Sequence, residues 1–188
     1  TASLDPRVTI TRALNTATVT NSSGNIVTAN ADTPRFDYDP ITLVCKGLLI
    51  EEARENKFLY SNDFGNAVWT VTNASISANQ TTAPDGLTTG AKIIEAATTS
   101  THLMFQNTAI TSGTTYTQTV YAKAAERTVL QITPSTGFTG SGSSYQNYNL
   151  ANGTLGSFLG SGVASITDVG NGWYRCQYTA ADRKSTRL

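Results

Sequence analysis

From residue 58 onward, apolar and polar positions alternate in short runs that turn-forming residues separate. Among the turn signals are Pro84-Asp85-Gly86, Asn152-Gly153 and Gly170-Asn171-Gly172. Because successive side chains of a strand point to opposite faces, this pattern predicts strands with one buried and one exposed face. Short strands at such regular spacing indicate an all-β fold, and we expect an antiparallel β-sandwich.

The alternation assigns inward and outward side chains in four of the predicted strands. The inward residues are Tyr116, Val120, Ala122, Leu130, Ile132, Tyr148 and Leu150, followed by Tyr174, Cys176, Tyr178 and Ala180 in the strand at 173–180. The other face of that strand carries Trp173, Arg175, Gln177 and Thr179. We expect Trp69, which follows an Asp-Phe-x-Asn-Ala turn, to belong to the core.

The first 57 residues have a different pattern and predict a docking or linker segment. Short strands at Val8–Arg12 and Ile26–Thr28 should flank a turn at Asn21–Asn25. The charged residues at 51–57 could form a turn or two of helix. The predicted organisation is therefore an amino-terminal segment at 1–57, a sandwich module at 58–180 and a basic tail at 181–188.

The charge balance argues against nucleic acid and membranes as partners. The chain has 13 basic and 13 acidic side chains and a net charge of zero, so no overall field attracts DNA or anionic lipid. The sequence contains no run of about 18 apolar residues and no recognisable secretion signal at its start. We expect no membrane insertion and see no export signal.

Catalytic motifs are not recognisable. His102 is the only histidine, it lies in a predicted strand, and the chain has no Gly-x-Ser-x-Gly elbow. The carboxylate pairs Asp37 with Asp39 and Glu51 with Glu52 are better explained by a rigid loop and by solvated or salt-bridged side chains. We therefore predict a protein that is not an enzyme and requires no cofactor.

The two cysteines are far apart in sequence and fit no metal or redox spacing. Cys45 and Cys176 lie outside any CxxC or Cys/His pattern. We expect two free, buried thiols.

A binding surface is predicted on the outward face of the last strand. Sugars present apolar C–H faces and hydroxyl edges, which suit an aromatic ring beside amide and guanidinium groups. The predicted ligand-binding residues are Trp173, Arg175, Gln177, Tyr121 and Lys123, the last two on condition that their strand neighbours that of Trp173. In the alternative interpretation, Trp173 covers a sheet edge or packs under the amino-terminal segment, and Arg175 neutralises a nearby aspartate such as Asp168.

Several segments resemble known families. "PRFDYDPITLVCKGLLIEEAREN" at Pro34–Asn56 resembles a segment common in phage structural proteins, where it precedes a β-sandwich module. "LYSNDFGNAVWTVTNASI" at Leu59–Ile76, "APDGLTTGAKIIE" at Ala83–Glu95 and "GNGWYRCQYT" at Gly170–Thr179 are similar to jelly-roll modules related to carbohydrate-binding families. One departure is the basic tail at 181–188, which stands where such modules usually have a further strand.

The resemblance implies a non-catalytic glycan-binding module of a phage tail fibre or spike, located in the virion and extracellular when it acts. Its partners would be a surface polysaccharide or oligosaccharide and other virion chains, as in a homotrimer. The alternatives are a purely structural spacer or trimerisation joint, and an accessory domain of a polysaccharide-degrading enzyme. Related jelly rolls often hold a structural calcium, for which Asn62, Asp63 and Asp168 could serve, although Asp63 equally fits an Asx-turn.

Overall fold

The computed structural model describes residues 3–12, 17–52, 54–111, 113–134 and 144–181, and within these ranges the chain is all-β and antiparallel. The strands are β1 (Ala17–Thr20), β2 (Ile26–Ala29), β3 (Phe36–Tyr38), β4 (Cys45–Leu48), β5 (Thr70–Thr72), β6 (Ala74–Thr81), β7 (Gly90–Glu95), β8 (Leu103–Phe105), β9 (Thr115–Lys123), β10 (Val129–Ile132), β11 (Tyr145–Asn149), β12 (Thr154–Leu159), β13 (Val163–Asp168) and β14 (Trp173–Ala181). This confirms the predicted fold class. The connectivity specific to a jelly roll stays a prediction.

The possible helix in the charged stretch is not formed at residues 51–52 and 54–57. Charged partners two residues apart, Arg54 with Glu52 and Lys57 with Glu55, form ion pairs there instead. In the part of the chain that the structure describes, no helix has the length and apolar character needed to span a membrane.

The chain divides into two units, Thr1–Thr108 and Ala109–Leu188. Each strand pairing lies within one of the two units. The strands β1–β8 pair only among themselves, and β9–β14 do the same. This division does not coincide with the predicted boundary after residue 57. The predicted sandwich segment at 58–180 therefore includes parts of both units.

The amino-terminal unit consists of four two-stranded ribbons, β1–β2, β3–β4, β5–β8 and β6–β7. The predicted turn at Asn21–Asn25 is confirmed, since the Asn21 side-chain oxygen accepts hydrogen bonds from the amides of Ser23 and Asn25 at 2.9 and 3.0 Å. The predicted strand at Val8–Arg12 is wrong, because β2 pairs with Ala17–Thr20. The Arg12 amide instead donates to the Asp32 carboxylate, which removes it from any ladder.

The described apolar side chains of the amino-terminal unit are exposed or only partly buried, with one exception. Ala29 is its only buried hydrophobic residue among those described. Trp69 lies in a small aromatic cluster, with ring centroids 5.6 Å from Phe58 and 5.3 Å from Phe64, but it is only half-buried. The expectation that Trp69 belongs to the core is therefore met only in part.

The carboxy-terminal unit contains two three-stranded sheets, ordered β10-β11-β12 and β13-β14-β9. They share one core, which confirms the predicted inward faces. The buried residues are Ile132, Tyr148 and Leu150 from the β10–β11 segment and Cys176, Tyr178 and Ala180 from β14. Val120, Ala122, Leu130 and Tyr174 pack against them, as predicted from the alternation.

A tight turn sets the register between β13 and β14. Asn171 and Gly172 both have positive φ, 53° and 77°, and the Trp173 amide donates to the Gly170 carbonyl at 2.9 Å. Asn-Gly at these positions matches a two-residue turn whose twist suits a hairpin. The resulting register, which pairs Cys176 with Ile166, places Cys176 inward and its neighbours Arg175 and Gln177 outward.

Candidate functional site

The central strand β14 gathers the predicted binding residues on one sheet face. Trp173 pairs with Lys123, and Arg175 pairs with Tyr121. Residues directly opposite each other on paired strands share a face, so all five predicted residues, Gln177 included, lie on the outward side. The condition that the Tyr121 strand neighbours the Trp173 strand is thereby confirmed.

Trp173 does not provide the exposed aromatic ring that the sequence suggested. Only 8% of the residue is accessible. Burial of a large indole is favourable, and Trp173 is buried although it lies at the start of β14 beside the tight turn. This part of the predicted platform is corrected, and it agrees with the alternative in which Trp173 is packed.

The other element of that alternative, an ion pair between Arg175 and Asp168, is not found among the described residues. The Asp168 carboxylate accepts a hydrogen bond from the Gly170 amide at 2.8 Å and supports the turn. Asp168 also pairs with Tyr174, whose side chain faces the core. The two charged groups therefore belong to opposite faces of the sheet.

Gln177 lies in a network that crosses all three strands. Its side-chain oxygen accepts from the Ser165 hydroxyl at 3.3 Å, and its Nε2 donates to Thr119 Oγ1 at 3.2 Å. A second pair, Thr117 with Thr179, is 2.9 Å apart. Sequence reasoning missed Thr119 and Ser165 because only the strand register reveals them as neighbours of Gln177.

Arg175 has an unsatisfied polar group in the middle of this face. Its Nε atom is buried and has no hydrogen-bond partner in the part of the chain that the structure describes. A buried N–H without a partner costs roughly 1–3 kcal/mol, so it calls for an acceptor. The neighbouring Tyr121 and Gln177 supply a ring and an amide beside it.

The charge on this face has one sign. At the outward positions of β9, β13 and β14, the charged residues are Lys123 and Arg175. The remaining outward side chains on these strands are uncharged. The face therefore favours a ligand that accepts hydrogen bonds and carries negative charge.

A shallow groove of about 270 Å³ lies at the opposite end of the same sheet. Its lining includes Thr115, Ser161, Val163 and Thr179, with no charged residue. None of the five predicted residues borders it. The groove could add hydroxyl contacts for a ligand that extends along the strands.

The residues proposed for calcium belong to different units, Asn62 and Asp63 to one and Asp168 to the other. Asp63 Oδ1 accepts from the Gly65 amide at 3.2 Å, which is the Asx-turn alternative, and Asp168 supports its own turn in the other unit. Among the described residues, no group of three or more His, Cys, Asp or Glu side chains could hold a metal ion. The arrangement gives calcium at Asn62, Asp63 and Asp168 no support, and it stays a prediction.

The remaining acidic candidates have structural partners. Asp37 lies on β3, rather than in a loop, and forms an ion pair with Lys46 at 2.9 Å. The Asp39 carboxylate accepts from the amides of Ile41 and Thr42, and these bonds lower its pKa. Glu51 pairs with Arg35 at 2.7 Å, which matches the salt-bridged alternative.

His102 has a partner on the backbone. His102 lies just before β8, and its Nε2 is 3.0 Å from the Ala96 carbonyl oxygen. This contact links the ring to the neighbouring loop of the ribbon unit. The geometry gives the ring a structural role.

The cysteines are free thiols in contrasting environments. Cys176 is fully buried as predicted, and burial raises its pKa to about 12. Cys45 is exposed on β4, so the prediction that it is buried is wrong. Cys45 pairs with Tyr38 on the two-stranded ribbon β3–β4, and strand periodicity alone does not tell which face of a ribbon is covered.

No protein-family model matches the chain, and no curated protein matches it. The function is therefore inferred from the geometry of the candidate site.

Proposed function

We propose that the chain is a non-catalytic carbohydrate-binding module, and that its ligand is an acidic surface glycan. The binding site is the Arg175 face, defined as the outward side chains of Thr119, Tyr121, Lys123, Arg175 and Gln177. The observation that supports this proposal is the Nε of Arg175, which has no partner among the described residues, on a residue that pairs with Tyr121 and shares its sheet face with Gln177. In the setting implied by the sequence resemblance, the module belongs to a phage tail fibre or spike.

The chemistry of an acidic sugar suits this face. A guanidinium group can donate two parallel hydrogen bonds to one carboxylate, which gives both charge pairing and orientation. Lys123 adds a second positive charge on the strand beside Arg175. Sugar hydroxyls can use the Gln177 amide, and the ring of Tyr121 suits a C–H face.

Single-site binding of this kind is expected to be weak, because the face carries few groups that can bind a sugar. A virion appendage presents several copies, and linked sites raise overall avidity by about 10²–10⁴ without any new contact. Weak, reversible attachment is therefore compatible with firm adhesion of a whole particle.

A glycan array tests the proposal directly. The wild-type chain should bind structures that contain uronic or sialic acids, and Arg175→Gln should lose most of that signal. Arg7→Gln, which removes an equal charge on an 88% exposed side chain of the other unit, serves as the control and should bind normally. Circular dichroism of all three proteins verifies folding.

Equal binding by wild type and Arg175→Gln would contradict the assigned face. Binding to no acidic glycan at all would contradict the proposed function.

A structural role in a multi-chain assembly is a second candidate, because the amino-terminal unit has so little core. Its most exposed large apolar side chains are Ile50 at 84%, Val44 at 63%, Leu87 at 62% and Leu59 at 61%. Folding must offset about 1–2 kcal/mol of backbone entropy per residue, and a unit with one fully buried apolar residue among those described has little burial to offset it. Neighbouring chains in a fibre would bury these side chains.

The solution mass tests this second candidate. Assembly through the amino-terminal unit predicts a multiple of 19.9 kDa for the wild type. Ile50→Asp should reduce the mass, whereas Val129→Asp, at a 58% exposed residue in the other unit, should not. A monomeric wild-type chain with a cooperative unfolding transition would argue against the assembly role.

A further inference from the structure

Strand β12 lies at the edge of the sheet β10-β11-β12, and all six of its residues are exposed. An edge strand presents a row of backbone N–H and C=O groups that no neighbouring strand pairs. Leu155 and Phe158 are each 46% exposed, and Leu159 is 51% exposed. The edge is therefore apolar as well as open.

Two of the apolar side chains of β12 lie on the inner face of its sheet. Leu155 pairs with Tyr148 and Phe158 pairs with Gln146, with an irregular register between the two pairs. Both side chains consequently point to the inner face, where Tyr148 is fully buried and Gln146 is 3% exposed. Unlike these partners, Leu155 and Phe158 stay accessible at the edge of the sheet.

Protection against edge pairing is weak along β12. Natural edge strands usually carry lysine, other charges or proline, which discourage pairing with another chain. Residues 128–167 contain no charged residue, and β12 itself has no proline. The register irregularity is the only such feature in this strand.

We propose that β12 pairs antiparallel with β12 of a second copy of this chain, forming a two-fold dimer edge. Pairing about the strand centre sets Thr154 opposite Leu159, Leu155 opposite Phe158 and Gly156 opposite Ser157. Because opposite residues share a face, the two copies of Leu155 and Phe158 form one apolar cluster on the inner side. The strand is thus complementary to itself, as a two-fold interface requires.

Charge also selects this partner. A neutral strand meets its own copy without like-charge repulsion, whereas a charged partner would be desolvated with no opposite charge to pair with. The proposal does not depend on the Arg175 face, which lies on the other sheet of the unit.

Analytical ultracentrifugation of the full chain over a range of concentrations tests the proposal. The wild type should show a concentration-dependent association step, and Phe158→Lys and Leu155→Lys should each weaken it at least about tenfold. Val129→Lys, at an exposed position on the other edge strand β10, is the matched control and should associate like the wild type. Circular dichroism confirms that each variant is folded.

Hydrogen exchange separates this interface from any assembly through the amino-terminal unit. Amides of residues 154–159 should become protected as the concentration rises, and Phe158→Lys should abolish that protection. The proposal is overturned if these amides exchange rapidly at every concentration, or if both lysine variants associate as the wild type does.

Discussion

The Tyr148 hydroxyl on β11 donates a 2.5 Å hydrogen bond to the backbone carbonyl of Gln177 on β14. Tyr148 is fully buried, whereas the Gln177 side chain lies on the outward face. One contact therefore connects the core of the carboxy-terminal unit to the strand that carries the candidate site. Removal of this hydroxyl tests how far the two sheets depend on it.

We expect Tyr148→Phe to destabilise the protein by about 1–3 kcal/mol, because a buried hydrogen bond is lost and its carbonyl acceptor loses a partner. Urea unfolding gives the measurement. Tyr145→Phe, on the outward face of the same strand, should change stability by less than about 0.5 kcal/mol. Similar effects of the two substitutions would contradict the role of the inter-sheet bond.

Trp173→Ala and Arg175→Gln should differ in their effects on stability. Loss of the 8% exposed indole should cost about 3–5 kcal/mol of folding free energy. Arg175→Gln should leave the unfolding midpoint unchanged or raise it, since it removes a buried N–H that has no partner among the described residues. Thermal unfolding of both variants measures this, and an unaltered midpoint for Trp173→Ala would contradict the buried position of Trp173.

Thiol labelling should distinguish the two cysteines at neutral pH. Cys45 is exposed and should react rapidly with a thiol reagent in the native protein. Cys176 is fully buried with a pKa raised to about 12, so it should react only after unfolding. Mass spectrometry should find one label per native chain and two per chain in denaturant. A native Cys45→Ser variant that still takes up a label would show that Cys176 is accessible.

Stability should decrease at alkaline pH. Burial raises the pKa of Cys176 from 9.0 to about 12, and it also raises the pKa values of Tyr148 and Tyr178 above 10.0. From about pH 9 upward, the unfolded chain loses protons that the folded chain retains, so unfolding becomes more favourable. Below pH 9 these groups are protonated in both states and contribute no pH dependence.

The urea midpoint measured from pH 7 to 11 checks this expectation. Cys176→Ala should be less stable than the wild type at pH 7, because it removes a buried sulfur, but its stability should fall less steeply between pH 9 and 10. A midpoint that does not change up to pH 11 would contradict the burial of these three groups.

The inward residues of the carboxy-terminal strands could be predicted from the sequence because strand periodicity depends on local order. Cys176 and Tyr178 are inward for that reason, and Asn171-Gly172 fixes their hairpin. The outward position of Trp173 was also correct, but its exposure was not, because accessibility depends on what else lies over that face. Alternation alone contains no information about such neighbours.

Strand pairing was the second feature that the sequence alone could not predict. Thr119 and Ser165 join Gln177 only through the register of three strands that are distant in sequence. The boundary at Thr108 likewise follows from which strands pair, and the exposure of Cys45 depends on what packs over the ribbon β3–β4. Period-two patterns assign faces but do not choose partners.

An NMR titration of the ¹⁵N-labelled chain with a uronic acid oligosaccharide tests the Arg175 face most directly. We predict chemical-shift changes concentrated at Thr119, Tyr121, Lys123, Arg175 and Gln177, and their loss in Arg175→Gln. Changes confined to other residues, or none at saturating oligosaccharide, would contradict binding at this face.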